Sequence, residues 1–282
     1  MIETSVVNEK QEYDIFREYL RDLAGISLSA NKEYLVKTRM RRVLLDYGLS
    51  SLAELNKALK KVPCDRMLRQ SVIDAMTTNE TFWFRDLYPY EYLRNTILPE
   101  LNAEKKAPTK LRIWSAACSS GQEPYSISIV IEEFMRATLG LKSFNYEITA
   151  TDISSQILER AREAKYDKLS ISRGMANDRL RNFFDLKQDD MWHLKDHIKK
   201  NVSFQSINLQ DSFAALGRFD LVFCRNVLIY FSADLKTDIL KRIHAAMRPG
   251  GLLFLGASES MSSVSEYFEM VHCNPGVAYR AK

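Results

Sequence analysis

Cysteine is scarce in this 282-residue chain: Cys64, Cys118, Cys224 and Cys273 lie far apart and never as Cys-x-x-Cys. That spacing excludes a disulfide framework and a zinc cluster, and it fits a reducing, cytoplasmic setting. Glycine is also sparse, at 10 residues, and the pattern Gly-x-Gly-x-x-Gly is absent. A dinucleotide held by its pyrophosphate is therefore disfavoured. Of the four histidines none falls in a motif, and His193 and His197, though four apart, have no evident third ligand, so no metal site is expected. No apolar run approaches the length of a membrane span, and Met1–Lys10 has neither a basic leader nor an apolar core, so neither membrane insertion nor a signal peptide is expected. Internal repeats and low-complexity tracts are missing. A net charge of +4 is too mild to imply nucleic acid by itself.

What remains has the composition of a globular protein long enough for two domains. Up to Met76 the pattern is helical only. Tyr13, Phe16, Leu20 and Leu23 recur at helical spacing over Glu12–Leu23, and Gly25 stops the run. Asn31 is placed to cap a second helix with Tyr34–Tyr47 as its body and Gly48 as its stop. Ser51 caps a third, closed by Pro63, and Asp65–Met76 makes a fourth. The second helix is basic: between Asn31 and Arg42 five cations (Lys32, Lys37, Arg39, Arg41, Arg42) face one acid, Glu33. Val36, Met40, Val43 and Tyr47 form its buried stripe, which leaves Lys37, Arg41 and Arg42 on the opposite face. Such a face is either merely solvated or attracts an acidic partner.

Thr77–Asp86 breaks the helical pattern with a polar cluster, three consecutive aromatics (Phe82, Trp83, Phe84) and Arg85. It reads either as a hinge packed into a cleft or as one wall of a site for a planar, charged ligand. Tyr90–Leu101 is expected to be a connecting helix and Ala103–Lys110 a polar loop. These features divide the chain into a helical unit (residues 1–76), a linker (77–107) and an α/β unit (108–282).

From Leu111 strands and helices alternate, which implies a mostly parallel, Rossmann-like sheet. The expected strands are Leu111–Ser115, Tyr146–Thr151, Val202–Ile207, Phe219–Phe223 and Leu252–Gly256. Helices are expected over Tyr125–Thr138, Ser154–Ala164 and Asp234–Met247, with Arg248–Gly251 as a turn. Phe268–Cys273 and Val277–Arg280 are expected to pair antiparallel around Asn274-Pro-Gly. About fifty residues separate Asp152 from the third strand, more than one crossover needs. The excess, roughly 166–200, is read as an inserted subdomain in which Trp192 and Ile198 suggest short strands.

The stretch Leu111-Arg-Ile-Trp-Ser-Ala-Ala-Cys-Ser-Ser-Gly-Gln-Glu-Pro-Tyr125 is a strand, a small-residue turn and a helix start. Small residues there let a ligand approach the backbone. Asp152, at the carboxyl end of the next strand, can accept both hydroxyls of a ribose, although an aspartate there is also a common helix cap. Turn and acid together describe a nucleoside site. S-adenosylmethionine, which lacks a phosphate, needs no phosphate cradle. Arg225 and Asn226 interrupt the apolar run Phe223–Phe231 and need partners, whether a loop or a ligand. The Asn/Asp-Pro-Pro-Tyr of nitrogen methyltransferases is replaced here by Arg-Asn-Val-Leu. With no imidazole in the motifs, an acceptor that is already ionised fits best, and a glutamate, with a reference pKa of about 4.3, is one.

The segments Thr77–Asp86, Trp114–Ser126, Ala150-Thr-Asp-Ile-Ser154 and Phe223–Phe231 resemble, in order and over nearly the whole chain, the chemoreceptor glutamate methyltransferases (CheR). The resemblance implies a bacterial signal-transduction enzyme of chemotaxis. It would move a methyl group from S-adenosylmethionine to glutamates on receptor cytoplasmic helices, releasing S-adenosylhomocysteine. Asn79, Thr81 and Arg85 then correspond to contacts near the methionine end and the sulfonium. Glu123 corresponds to the acid holding the amino group and Asp152 to the ribose acid. Asn208, Leu209, Asn226 and Val227 correspond to adenine and cofactor contacts, and Arg85 and Tyr230 lie near the transferred methyl. The basic helix, with Arg39, Arg41 and Arg42, corresponds to the receptor-facing helix. Members that bind the receptor's C-terminal tail carry a longer, glycine-containing loop in the inserted β-subdomain. Here Leu186-Lys-Gln-Asp-Asp190 is short, so tail docking is not expected and a monomer suffices. A nucleic-acid methyltransferase and a non-catalytic cofactor sensor are the competing readings.

Overall fold

A computed structural model describes residues 2–103, 110–139, 141, 144–261 and 264–282. Most of the loop expected over Ala103–Lys110 lies outside the described residues. Four helices come first: α1 (Ile2–Ala24), α2 (Glu33–Asp46), α3 (Leu52–Leu59) and α4 (Arg66–Met76). Phe16, Leu20, Val36, Met40, Leu55 and Val72 close their common core. Ser51 caps α3 by accepting the Glu54 amide, and Asp65 caps α4 by accepting those of Met67 and Leu68. Two boundaries differ from expectation. Lys32, not Asn31, precedes α2 and makes no side-chain cap, because the Asn31 carboxamide instead accepts the Ser29 hydroxyl at 2.7 Å. Helix α3 ends at Leu59, ahead of Pro63.

The linker leads into α5 (Tyr88–Tyr92), which runs through a π-helical turn (Leu93–Ile97) into α6 (Leu98–Ala103). Alternation then begins: β1 (Leu111–Ala116), α7 (Gln122–Ala137), β2 (Tyr146–Asp152) and α8 (Ser155–Glu163). The insertion holds β3 (Lys165–Tyr166), α9 (Lys168–Ser172), α10 (Asn177–Phe183), β4 (Phe184–Leu186), β5 (Trp192–Leu194) and α11 (Asp196–Lys199). The main sheet resumes with β6 (Val202–Ser206), β7 (Phe219–Cys224), α12 (Ala233–Ala245), β8 (Met247–Leu255), β9 (Phe268–Cys273) and β10 (Gly276–Ala281).

The seven-stranded sheet runs in the order β6-β2-β1-β7-β8-β10-β9, parallel through β8, with β10 antiparallel to both its neighbours. The order reverses between β1 and β7, and open sheets of this kind bind ligands outside the strands' carboxyl ends at such a point. The three-stranded sheet of the insertion runs β3-β5-β4, antiparallel throughout. Ile198 belongs not to a strand but to α11, where it is buried and its carbonyl accepts the Ser128 hydroxyl of α7 at 2.7 Å. His193 sits on β5 and His197 on α11, so the pair does not share one helix. Arg248–Gly251 continues β8 rather than turning: Arg248 binds the Asp220 carboxylate at 2.7 Å, and an irregular register at Phe219/Leu221 absorbs the glycines.

The helical unit lies over the carboxyl edge of the sheet and is stitched to it. The Gln70 amide donates to the Ile153 carbonyl at 3.1 Å and the Asn208 amide to the Leu23 carbonyl at 2.8 Å, while the Ser27 N–H donates to the Tyr230 carbonyl at 2.9 Å. Among the described residues no helix is long and apolar enough to cross a membrane.

Candidate active site

Between the helical unit, the linker and the sheet edge lies a cleft. Five separate segments bring to it Asn79, Thr81 and Arg85; Glu123; Asp152; Asn208 and Leu209; and Asn226, Val227 and Tyr230. The backbone around it is contorted. Of the eight non-glycine residues described with positive φ, three line the cleft, Ala117 and Ser119 in the turn after β1 and Asn226 after β7, and three more, Phe84, Asp86 and Leu87, lie in the linker beside it. Such conformations persist only where the surroundings hold them, and they gather at ligand sites.

Asp152 ends β2 almost fully buried. One of its oxygens accepts the Ser119 amide at 2.9 Å and the other the Ser154 amide at 3.0 Å. Burial raises its pKa, opposed by those amides and that of Ile153. A carboxylate has about four acceptor sites, so two remain for a pair of vicinal hydroxyls. The turn supplies the rest of that wall: Ala117, Cys118 and Ser119 line it, and Gly121, at φ +92°, packs where a Cβ would lie 3.0 Å from the Tyr125 ring.

Glu123 stands in the first turn of α7, one residue before Pro124, whose missing N–H is not needed there. Its carboxylate accepts the Ser115 hydroxyl at 2.8 Å and Arg225 Nη1 at 3.0 Å. Burial raises its pKa, with Arg225, Ser115 and Arg85 pulling the other way. The Arg225 side chain is 1% exposed and also grips the Asp86 carboxylate and the Arg85 carbonyl, both at 2.7 Å. Burial alone would lower the Arg225 guanidinium, but Tyr90, Glu123 and Asp86 push it up. Of this cluster Glu123 and Arg225 line the cleft, and the Glu123 carboxylate is the group there that can accept from a ligand ammonium. The partners of both Arg225 terminal nitrogens are therefore in the protein, while its Nε is buried without one. Those of Asn226 are incomplete: its Oδ1 is buried without a partner, while its backbone N–H donates to Glu259 at 2.8 Å. An orphaned acceptor in a cleft-lining residue fits a donor such as an adenine amino group.

Sequence reasoning missed Glu259, which also accepts the Gly256 and Ile229 amides at 2.8 and 3.3 Å and so ties the loop after β8 to the loop after β7. It missed Asp86 and Ser119 as well. No local signal marks Glu259; the arginine in an apolar run signals that acidic partners exist but not that Asp86 is one of them.

The linker combines both expected features, a packed hinge and a wall of the cleft. Trp83 and Phe84 are buried, while Phe82 and Arg85 face the cleft, with the Arg85 guanidinium 5.2 Å from the Phe82 ring centre. The Asn208 side chain is committed to the Leu23 carbonyl and the Gln210 amide, so it shapes the wall through the loop it holds. Of the basic helix, Arg41 and Arg42 are exposed, Arg42 pairing with Asp46 at 2.9 Å. Arg39 points back: Nη1 donates to the Met76 and Thr77 carbonyls at 2.6 and 3.1 Å, and Nη2 donates to the Thr78 hydroxyl at 3.0 Å. It joins α2 to the start of the linker instead of presenting a free charge.

Residues 79–277 match a family model described as CheR methyltransferase, SAM binding domain, and residues 11–77 match one described as CheR methyltransferase, all-alpha domain. The chain is 48% identical over 272 residues to Chemotaxis protein methyltransferase 1 of Pseudomonas aeruginosa, covering 96% of this chain and 98% of that protein. It is 49% identical over 271 residues to Chemotaxis protein methyltransferase Cher2 of Pseudomonas putida, with the same coverage. Over 281 residues it is 45% identical to Chemotaxis protein methyltransferase of Vibrio parahaemolyticus, covering 99% of this chain and all of that protein.

Proposed function

The chain belongs to the CheR methyltransferase family, and on that premise we propose that it methylates glutamate side-chain carboxylates of chemoreceptors, using S-adenosylmethionine and forming methyl esters. One observation carries the site assignment: five segments far apart in sequence line a single cleft at the point where the strand order reverses. Asp152 accepts the ribose hydroxyls, Glu123 holds the ammonium, and Asn226 with Val227, Asn208 and Leu209 walls the base. Asn79, Thr81 and Arg85 close the methionine side. When bound, S-adenosylmethionine supplies an electrophilic methyl group on a sulfonium.

Arg85 and Tyr230 orient the receptor carboxylate, Arg85 by charge and Tyr230 by its hydroxyl. No protein group need take a proton, because the acceptor glutamate is ionised at neutral pH. Positioning is then the main contribution, on the order of 7–11 kcal/mol in favourable cases. Wild-type protein incubated with methyl-labelled cofactor and receptor-bearing membranes should put label into the receptor, and mild alkali should release it as methanol. Label that resists alkali would mean methylated nitrogen and would sink the reading.

Arg41 and Arg42 fit encounter with an acidic helix in the receptor's cytoplasmic part, where the enzyme would act. Arg41→Ala with Arg42→Ala should raise KM for the receptor several-fold at low salt and much less at high salt, with kcat little changed. Initial rates at two ionic strengths test this, and an unchanged KM at low salt removes the role. The short connection Lys187–Met191 between β4 and β5 supports an enzyme that works without a tail tether.

A further inference from the structure

Phe82 and Arg85 line two cavities at once: the cofactor cleft, and a shallower groove beside it whose other walls include Trp83, Arg173 and Gly174. They form the wall where cofactor and receptor glutamate must meet. The inserted subdomain reaches that wall. The Trp83 N–H donates to the Arg173 carbonyl at 3.0 Å. Gly174, at φ +99°, lies so close that a Cβ would fall 2.1 Å from the Trp83 carbonyl oxygen. Trp83 is held edge-on by Tyr166 and Phe184 of the insertion, at ring distances of 4.9 and 5.3 Å. Tyr166 in turn donates to the Ser120 carbonyl at 2.8 Å, in the turn after β1 that supplies Ser119 to the cofactor cleft.

From this brace the Arg173 guanidinium extends over the Phe82 ring, 3.8 Å from its centre, and pairs with the Glu80 carboxylate at 2.6 Å. Arg85 contacts the same two residues, its guanidinium 5.2 Å from the Phe82 ring centre and its Nη1 3.5 Å from the Glu80 carbonyl. The Arg173 and Glu80 side chains are 39% and 60% exposed. An ion pair that wet adds little to stability. What Arg173 does contact is the Phe82 ring and the Glu80 side chain, the same two residues against which Arg85 rests.

We propose that Arg173, delivered by the inserted subdomain, is a positioning residue for methyl transfer: through Phe82 and Glu80 it sets the orientation of Arg85 at the mouth of the cofactor cleft. The insertion then works as an internal brace on the reacting site, a role independent of any receptor tail. The proposal rests on the methyltransferase reading, and the wild-type rate measured alongside tests that reading separately.

The experiment compares Arg173→Ala, Arg173→Lys and Phe82→Leu in the full chain, reading kcat and KM for receptor methylation together with the Kd for S-adenosylhomocysteine by calorimetry. Arg173→Ala should lower kcat about tenfold, the scale of a modest misplacement of a reacting group. KM, the Kd and the melting temperature should stay close to wild type. Arg173→Lys keeps the charge and the Glu80 partner and should recover much of the loss. Phe82→Leu should lower kcat similarly, and the double variant with Arg173→Ala should be no worse than either alone, because both act through one contact. A kcat unchanged in Arg173→Ala, a Kd or melting temperature that falls in step with kcat, or single losses that multiply in the double variant would each overturn the proposal. An inactive wild type would instead refute the methyltransferase reading.

Discussion

Replacing Arg225 with leucine should destabilise the protein by about 3–5 kcal/mol at neutral pH, the usual cost of removing one partner from a buried ion pair. The guanidinium is 1% exposed, whereas its partners Glu123 and Asp86 are 12% and 31% exposed. Asp86 can recover water, so most of the cost falls on Glu123. Its pKa is already raised by burial despite Arg225, and without the cation it rises further. The sign follows: an acid whose folded pKa lies above its unfolded value binds protons more tightly when folded. Stability is then lost as pH climbs from the unfolded value toward the folded one. The penalty should therefore be largest at neutral pH and shrink as pH falls into the ordinary glutamate range. Denaturant unfolding of wild type and variant across that window measures it. Adding Glu123→Gln should recover part of the loss, since no uncompensated charge then remains. A penalty below about 1 kcal/mol, or one that does not vary with pH, would mean that Arg225 is not the counter-charge of a buried carboxylate.

That cluster also marks where sequence stops being enough. The strands of the α/β unit are legible because a buried parallel strand is a continuous apolar run: Leu111–Ala116 and Phe219–Cys224 end within a residue of where their pattern ends. Ser51 and Gly48 are legible because caps and stops are local chemistry. The partners of Arg225 are not, since Glu123 lies 102 positions away and Asp86 139. Nothing near Arg225 specifies either one. Asn226 could be singled out as a polar residue in an apolar run, but not the left-handed backbone, φ 60°, that it adopts there. The same limit explains Arg39. Periodicity places it on a helix, but only the fold shows that the start of the linker passes within reach of its guanidinium. Ile198 misleads for a related reason: one buried apolar residue suits a strand or a short helix equally, and its packing against α7 decides. The cleft-lining residues were nominated by motif, and chain topology gathers them, because every strand from β6 to β7 delivers its carboxyl end to one edge.

The second large effect concerns Asp152. Asp152→Asn should weaken binding of S-adenosylmethionine and S-adenosylhomocysteine about 100-fold, since hydrogen bonds to a charged acceptor contribute about 1.5–3 kcal/mol each and every 1.4 kcal/mol is tenfold. The new carboxamide oxygen can still take one of the two backbone amides that hold the carboxylate at 2.9 and 3.0 Å, so the loop should keep its shape. Its NH₂ would meet the other amide, donor against donor, and could not accept a ribose hydroxyl. Alanine would leave both amides unpaired and confuse binding with folding, which is why the amide is the better test. The pH dependence separates the two further. Burial raises the Asp152 pKa, so the wild-type carboxylate takes up a proton above the ordinary aspartate range and then offers a donor where an acceptor is needed. Wild-type affinity should therefore begin to fall on acidification before an exposed aspartate would titrate. A carboxamide cannot titrate, so the variant should bind weakly with a shallower acid limb, the remainder belonging to Glu123. Calorimetric titration with S-adenosylhomocysteine over that range reads both quantities. Affinity within a few-fold of wild type, or an acid limb as steep as the native one, would show that the carboxylate at the end of β2 caps its own loop and does not grip the nucleoside.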